Sequence, residues 1–344
     1  MPRNRAQIGS KPLIEGALLA AITVVLALLA FYVPPAGAGL SLLWPVPIAL
    51  VHLRHGLRVS ILTVIVAGLT LTTFVGPLEA IGMVSTFGFM GLALGWCFQR
   101  KVSPFHTVLV GGVAMLGSML ISLALSFVFL KVTPGQMLNE MSHAMQQADQ
   151  LWQRFGVPES QVREVRQVWE TSLRLLRFVF PGVIVMGSLM NSFLNFQVAR
   201  GILNRMGYKI EDVPPFETWR VPGYTLLGLA AGYLFGIING PWRVGRGMGQ
   251  LRRIESIGDP LLDIGAWRWV FMAGANVQVV FVMLFTVYGM AVAYWFMKNR
   301  WRLSKPMSVF LLIMAMFNPL LGQIVMFLGV LDCAFDWRKL GFGR

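Results

Sequence analysis

The chain has 344 residues, of which 56% are hydrophobic and only 13% are charged. Soluble domains contain about 25% charged and about 45–50% apolar residues, and one soluble core encloses less apolar surface than this chain carries. The composition argues against a soluble enzyme and against a disordered chain, which needs low hydrophobicity. The 29 Lys and Arg and 15 Asp and Glu give a net charge of +14. Membrane proteins hold such an excess in cytoplasmic loops, so no nucleic-acid partner is required.

Apolar runs predict an all-α polytopic transmembrane helical bundle of about eight or nine spans, since a bilayer core about 30 Å thick needs about 20 helical residues. The predicted spans are 13–33, 38–53, 58–75, 79–98, 105–130, 174–198, 222–240, 267–297 and 307–331. The basic residues before the first run predict a retained first helix with a cytoplasmic N-terminus. Pro45 and Pro47 predict that the second span is broken or tilted.

Basic residues agree with this topology up to about residue 221. The segments predicted to lie inside hold about half of them, and the first two predicted outer loops, 34–40 and 76–78, hold none. The segment 241–266 and the tail, with Arg338, Lys339 and Arg344, are basic on the predicted outside. Eight or ten spans, or a basic loop that faces outward, therefore stay open.

Residues 133–172 predict an extramembrane amphipathic helical hairpin. Apolar residues from Leu138 to Phe155 recur at spacings of three and four, which is one helical face, and Pro158 follows its end. A second amphipathic stretch then runs into the sixth span. We expect the hairpin to pack on the outer face, and a lid over a binding cavity is the alternative.

Four glycines in the seventh span lie four residues apart and predict close helix packing. They are Gly228, Gly232, Gly236 and Gly240.

Neutral amides inside the spans are candidate ligand-binding residues, because polar groups at membrane depth are expensive and mark function. They are Asn191, Asn195, Asn276 and Gln278. Asn191 and Asn195 share a helix face, being four residues apart. Interhelical hydrogen bonding is the structural alternative.

No hydrolase, P-loop or zinc motif is present, and the sequence predicts no enzyme, cofactor or metal site. His52 and His55 are too few for a metal and lie beside Arg54. Cys97 and Cys333 are interpreted as unpaired small hydrophobic residues. Asp332 and Asp336 are interpreted as a helix end that emerges at the membrane interface.

Short patches along nearly the full chain resemble the YybS-like family of bacterial multi-pass membrane proteins, domain of unknown function 2232. The patches are EGALLAA at 15–21, WPVPI at 44–48, the basic turn 52–58, the loop 199–222, GVLD at 329–332 and FDWR at 335–338. The resemblance implies a protein of the bacterial inner, or cytoplasmic, membrane.

The amino-terminal part is also similar to the substrate-binding S-components of energy-coupling-factor vitamin transporters. This resemblance implies a six-helix unit, here residues 1–200, followed by additional transmembrane helices in 201–344. It also implies that Ala17 and Ala21 on the first helix dock on a coupling subunit. The outer hairpin and the extra spans depart from the S-component pattern.

Two functions follow as hypotheses. The first is S-component-like binding or transport of a small, vitamin-like molecule, with energy from a coupling subunit and an ATPase. The second is a membrane scaffold or accessory subunit with no substrate of its own, which the glycine row and the basic loops favour through protein and lipid contacts.

Overall fold

The computed structural model describes residues 9–129, 131, 134–154, 157–239 and 267–338, and all regular secondary structure within them is helical. The predicted all-α fold class is confirmed. The chain forms two compact units. The first unit holds residues 1–144 and 187–213, and the second unit holds 145–186 and 214–344. The functional division at residue 200 stays a prediction.

Eleven α-helices and one short 3-10 turn occupy the described residues. They are α1 (Ser10–Tyr32), α2 (Pro34–Ser41), α3 (Pro45–Val75), α4 (Pro77–Gln99), α5 (Pro104–Phe129), α6 (Pro134–Arg154), α7 (Glu159–Arg205), the 3-10 turn Phe216–Thr218, α8 (Thr225–Asn239), α9 (Trp267–Asn299), α10 (Lys305–Phe317) and α11 (Pro319–Phe335). Proline begins six of these helices, because its missing N–H costs nothing at the first helical position. Pro45 therefore starts α3, and the expected break in the second span lies just before it.

Helix α3 reverses direction at Gly56. This glycine has φ 76° and ψ −174°, a region that is essentially limited to glycine. The contacts between α3 and α4 are Ile48 with Gly91, His52 with Gly95, Val64 with Gly88, and Gly68 with Val84. In the first two pairs the residue numbers rise together along both helices, so this arm of α3 is parallel to α4. In the last two pairs the α3 numbers rise while the α4 numbers fall, so that arm is antiparallel. The two arms of α3 therefore pass α4 in opposite directions, as the predicted separation of spans 38–53 and 58–75 requires.

Three elements of the first unit meet at one end. Glu15 near the start of α1 accepts hydrogen bonds from Arg54 and His55 beside the Gly56 turn, and Arg54 Nε donates to the Tyr208 hydroxyl at 2.9 Å. The opposite end of α1 is marked by the Tyr32 hydroxyl, which donates to the Phe74 carbonyl at 3.2 Å. The basic segments around the Gly56 turn and after α7 therefore share one end, which we call the basic end. Its cytoplasmic orientation stays a prediction.

In the second unit, α9 packs between α8 and α11. Gly228 and Gly232 of α8 lie against Phe281 and Gln278 of α9, in antiparallel order. Helix α11 runs parallel to α9, with Gly289 against Gly329 and Tyr288 bonded to Asp332. The buried residues of this unit include Phe285, Val292 and Met326.

The last apolar segment is a bent pair of helices in place of one helix over 307–331. The segments Lys305–Met316 and Leu320–Phe335 meet at 109°. The break falls at Asn318 because the residue before a proline is disfavoured in the α region. The Asn318 side chain accepts from the Leu320 and Leu321 N–H groups and so caps α11.

The bent pair begins and ends at the same end of the second unit. Lys298, near the end of α9, pairs with the Glu217 carboxylate. Arg338, after α11, donates to the Glu217 carbonyl at 2.5 Å. Because α10 starts shortly after α9 ends, the chain between these two residues leaves the Glu217 region and returns to it. We call this end of the second unit the loop end.

Six described segments are long and apolar enough to cross a membrane, and the bent pair is a seventh if counted as one span. This total takes Gly39–Val75, which contains the Gly56 turn, as a single segment and omits the shorter apolar helix Thr225–Leu234. The chain is an integral multi-pass membrane protein. The predicted total of eight or nine spans stays a prediction, and the segment 241–266 lies outside the described residues.

Helix α7 is continuous from the amphipathic stretch into the sixth predicted span, with Pro181 inside it. Arg166 Nε donates to the buried Asp149 carboxylate of α6 at 2.7 Å, which joins the two predicted arms of the hairpin. The position of the hairpin outside the membrane and its action as a lid stay predictions.

We expect the end of α9 and the end of α11 to face the same side of the membrane. In a chain lacking Cys97 and Cys333, single cysteines placed by Ser304→Cys and Trp337→Cys should react with an impermeant maleimide from the same side of sealed vesicles. Lysed vesicles give the total reactive thiol. Labelling from opposite sides would show that 305–335 crosses the membrane once.

Gly56→Ala should lower the free energy of unfolding by about 1–3 kcal/mol, because alanine has no comfortable conformation at this φ and ψ. The matched control is Gly117→Ala in α5, where an added methyl group meets nothing within 4 Å. The control should be neutral or slightly stabilising. Unfolding titrations in mild detergent measure both, and equal effects would contradict the reversal at Gly56.

Candidate functional site

The predicted ligand amides Asn191 and Asn195 bond to each other along α7. Asn195 Nδ2 donates to the Asn191 carbonyl at 2.9 Å and to the Asn191 Oδ1 at 2.6 Å. Asn195 is buried, and its Oδ1 has no hydrogen-bond partner among the described residues. One acceptor of this pair is therefore left for a donor, and ligand binding by the pair stays a prediction.

Asn276 bonds to α7 next to the proline inside that helix. Its Oδ1 accepts from the Gly182 N–H at 2.6 Å, and its Nδ2 donates to the Met272 carbonyl at 2.7 Å. Gly182 follows Pro181, where the helical hydrogen-bond ladder loses a donor. A neighbouring side chain at such a break is what a membrane interior requires. Gln278 presents its backbone to Gly232 of α8. Asn276 and Gln278 belong to the second unit and Asn191 and Asn195 to the first, and ligand binding by these amides stays a prediction.

Gly228 and Gly232 of the glycine row lie on the face of α8 that approaches α9. Added methyl groups at Gly228 and Gly232 would meet the Phe281 ring and the Gln278 backbone at less than 3 Å. Only backbone is described for Gly236, and Gly240 lies outside the described residues. Small residues at this spacing permit the close approach of two backbones.

The small residues of α1 form two rows with different surroundings. Gly16 and Ala20 are buried, with Gly16 close to Thr63 of α3. Ala17 and Ala21, the predicted docking pair, lie on the exposed side of the helix. The docking role stays a prediction.

Arg338 forms a buried ion network in the second unit that joins side chains of α9 and the end of α11 to backbone carbonyls of the segment before α8. Its Nε donates to Asp332 Oδ2 at 3.0 Å, and its Nη2 donates to the Trp219 carbonyl at 2.8 Å and to the Tyr288 hydroxyl at 3.1 Å. The Tyr288 hydroxyl in turn donates to Asp332 Oδ2 at 2.6 Å. The Arg338 and Asp332 side chains are 0% and 1% exposed. A buried charge pair is tolerated when its polar atoms have partners. Here each guanidinium nitrogen of Arg338 and each carboxylate oxygen of Asp332 has one.

A pocket of about 210 Å³ opens beside this network. Its lining consists of Arg220, Val221, Pro222, Gly223, Tyr288, Asp332, Cys333 and Asp336. The segment before α8 supplies the first four of these residues, α9 supplies Tyr288, and the end of α11 supplies the others. The Arg338 hydrogen bonds hold these three segments together, so the buried network forms one wall of the pocket.

A second ion pair lies at the rim of the pocket. Arg220 Nη2 donates to Asp336 Oδ1 at 2.7 Å, and the two side chains are 30% and 18% exposed. Asp336 ends α11 in the left-handed conformation, with φ 46°. Farther out, the Lys298 amine holds the pKa of the Glu217 carboxyl below its usual range. Among the described residues, the loop end therefore carries three ion pairs, of which one is fully buried.

The sequence interpretation underestimated Asp332 and missed Tyr288 and Arg338. Asp332 lies buried against Arg338, and the position of this helix end at the membrane interface stays a prediction. One sequence feature points to this network: an acidic residue and a tyrosine hydroxyl lie in otherwise apolar helices, where polar groups need partners. Nothing in helical periodicity could pair Arg338 with residues on α9 and before α8. Among the described residues, no group of three or more His, Cys, Asp or Glu is placed to hold a metal ion.

Tyr288→Phe should lower the free energy of unfolding by about 1.5–3 kcal/mol, because it removes a hydrogen bond to a buried charged group. Tyr224→Phe is the control, since that side chain is 74% exposed, and it should change stability by less than about 0.5 kcal/mol. Denaturant titration in detergent compares them. Indistinguishable values would show that the hydroxyl contributes nothing to the network.

Known proteins match this chain over most of its length. The family described as "Predicted membrane protein (DUF2232)" matches residues 21–243 and 263–333. Uncharacterized protein YybS of Bacillus subtilis (strain 168) is 22% identical over 331 residues, which are 96% of this chain and 98% of that protein. No solved structure matches. The chain therefore belongs to the DUF2232 family of predicted membrane proteins.

Proposed function

We propose that this protein binds a small molecule in the pocket of the second unit, as part of a transport system of the bacterial inner membrane. The observation that carries the proposal is a pocket of about 210 Å³ where an ion pair, a tyrosine and a buried carboxylate converge. A concave site with a few convergent polar groups is the usual setting for ligand binding. The Bacillus relative supports the choice of membrane.

Broken helices support transport as the purpose of binding. Helix α10 stops at Phe317 and α11 begins at Pro319, and the pair bends by 109°. Transporters build ligand sites from discontinuous helices, because irregular backbone at membrane depth has to be buried in protein or face a cavity. The broken pair ends at the pocket, where α11 contributes Asp332, Cys333 and Asp336.

The energy for transport comes, in this proposal, from a coupling subunit and an ATPase, and the chain itself catalyses no reaction. It has no nucleotide-binding motif. Ala17 and Ala21 on the exposed side of α1 provide a surface that a partner helix can approach closely, as in S-components. The amino terminus and the basic end then face the cytoplasm. The pocket is smaller than the about 300–1,000 Å³ of drug-sized sites, which favours a ligand at the small end of the vitamin-like range.

A scaffold or accessory subunit without a substrate is the second candidate. It is favoured by the hydrogen bonds of Asn276, which tie α9 to α7 and leave less of this amide for a ligand. If the purified protein retains one stable membrane partner and no ligand in the pocket, the result would favour the scaffold function over transport.

Ligand access to the pocket can be measured with the two natural cysteines. Cys333 lines the pocket, and Cys97 is buried in the first unit. With Cys97→Ala, the remaining Cys333 should react with N-ethylmaleimide faster than Cys97 does in the matched Cys333→Ala chain. A Cys333 thiol that reacts no faster than Cys97 would show that the pocket is closed to small molecules.

Ala21→Trp should reduce recovery of a coupling subunit with the affinity-purified protein, because a large ring prevents close helix approach. Ala124→Trp on the exposed side of α5 is the matched control and should leave recovery unchanged. Quantitative mass spectrometry of the purified complexes gives the ratio. Equal recovery of the coupling subunit from both variants would contradict docking through α1.

A further inference from the structure

We infer that the basic end of the first unit binds the headgroup of an anionic phospholipid. The inference does not depend on the pocket of the second unit or on transport. It starts from the charged side chains at this end, where the described cations outnumber the described carboxylates. The cations are Lys11, Arg54, Arg58, Arg100, Lys101, Arg200, Arg205 and Lys209, and the carboxylates are Glu15, Glu211 and Asp212. The surface therefore attracts a negatively charged group.

Two further segments reach the basic end, which the Gly56 turn and the loop after α7 define. Lys11 lies one helical turn before Glu15, toward the start of α1. Helix α4 runs parallel to the first arm of α3 and packs Gly95 against His52, one turn before the arm ends. The two residues that follow α4, both cations, therefore lie at this end as well.

The opposite end of the first unit has no comparable excess of charge. Helix α5 runs antiparallel to α4, since Gly111 lies against Met90 and Ser118 bonds to Thr86. The end of α5 and the start of α4 therefore lie away from the Gly56 turn. The described charges beside them are one cation and one carboxylate, Lys131 and Glu79.

Most cations of the basic end are available to a ligand. Glu15 pairs with Arg54, and Asp212 pairs with Arg200. Five exposed cations have no hydrogen bond or ion pair to any described residue, namely Lys11, Arg58, Lys101, Arg205 and Lys209. They outnumber the remaining carboxylate, Glu211. An anionic group can approach these five side chains without breaking an internal pair.

The loop after α7 is held in place by hydrogen bonds. Asn204 Oδ1 accepts from the Ile210 N–H at 2.9 Å, and Asn204 Nδ2 donates to the Ile210 carbonyl at 3.3 Å. The Tyr208 hydroxyl, between them in the chain, accepts from Arg54 Nε at 2.9 Å. The cations of this loop are therefore fixed beside the Gly56 turn before any ligand arrives, which reduces the cost of binding.

Large apolar side chains among the cations favour a lipid over a soluble acidic partner. Leu57 in the Gly56 turn is 51% exposed, and Met206 in the loop after α7 is 46% exposed. The Trp96 ring, also exposed, lies 5.0 Å from the Arg100 guanidinium carbon. An anionic phospholipid offers its phosphate to the cations and its glycerol and acyl groups to these apolar side chains. Basic clusters at the ends of membrane helices recognise such headgroups.

The test measures lipid binding to the full-length protein by native mass spectrometry from mild detergent. Palmitoyl-oleoyl phosphatidylglycerol is the anionic probe, and phosphatidylcholine with the same acyl chains carries no net charge. The parent chain should bind the anionic lipid at least about tenfold more tightly, because each basic side chain near an anionic group contributes about fivefold.

Variants of exposed cations locate the site. Arg58→Gln with Arg205→Gln and Lys209→Gln should weaken phosphatidylglycerol binding at least about tenfold and leave phosphatidylcholine binding unchanged. These side chains have no described partner, so the fold should be retained. The matched control removes the same charge outside the basic end and should keep the lipid preference. Its substitutions are Lys131→Gln, Arg154→Gln and Arg163→Gln.

Three results would overturn the inference. The first is equal affinity of the parent chain for the two lipids, and the second is an equal loss in the two triple variants, which would show dependence on net charge alone. The third is displacement of phosphatidylglycerol by an excess of soluble polyglutamate or of glycerol 1-phosphate. Displacement by polyglutamate would assign the surface to an acidic protein segment, and displacement by glycerol 1-phosphate would assign it to a free phosphate. We expect neither compound to displace the lipid.

Discussion

The second unit depends on the requirement that a buried guanidinium have a hydrogen-bond partner at each of its three nitrogens. Arg338 lies beyond the last helix, and its side chain is fully buried among the Asp332 carboxylate, the Tyr288 hydroxyl and two carbonyls of the segment before α8. These partners come from three stretches that are far apart in the chain. Satisfying one arginine therefore brings the end of α11 back to the end of α9 and fixes the loop between them.

The same requirement determines which chemistry remains for a ligand. Asp332 accepts hydrogen bonds from Arg338 and Tyr288, whereas the Arg220–Asp336 pair beside the pocket is partly exposed. The buried pair forms one fixed wall of the pocket. A rigid wall favours selective binding, since preorganised groups reduce the cost of binding.

Composition and periodicity predict the helical membrane fold, and the basic turn predicted at 52–58 coincides with the reversal of α3 at Gly56. They predict less about the last helices. The bend at Asn318 depends on the residue before a proline, which a sliding count of apolar residues does not register. The polar network escaped prediction because Arg338 meets Tyr288 and Glu217 at separations of 50 and 121 residues. The sequence singles out the amide residues as polar groups in apolar helices. It does not predict that Asn276 bonds to the Gly182 N–H, because that contact joins two helices.

The most direct measurement is a double-mutant cycle on the buried pair, read as free energies of unfolding in mild detergent. Asp332→Leu and Arg338→Met should each destabilise the protein by about 3–5 kcal/mol, because each strands a buried charge. The double variant should be destabilised by less than the sum, since it removes both charges together. Single variants within about 0.5 kcal/mol of the parent chain would contradict the central position of this ion pair.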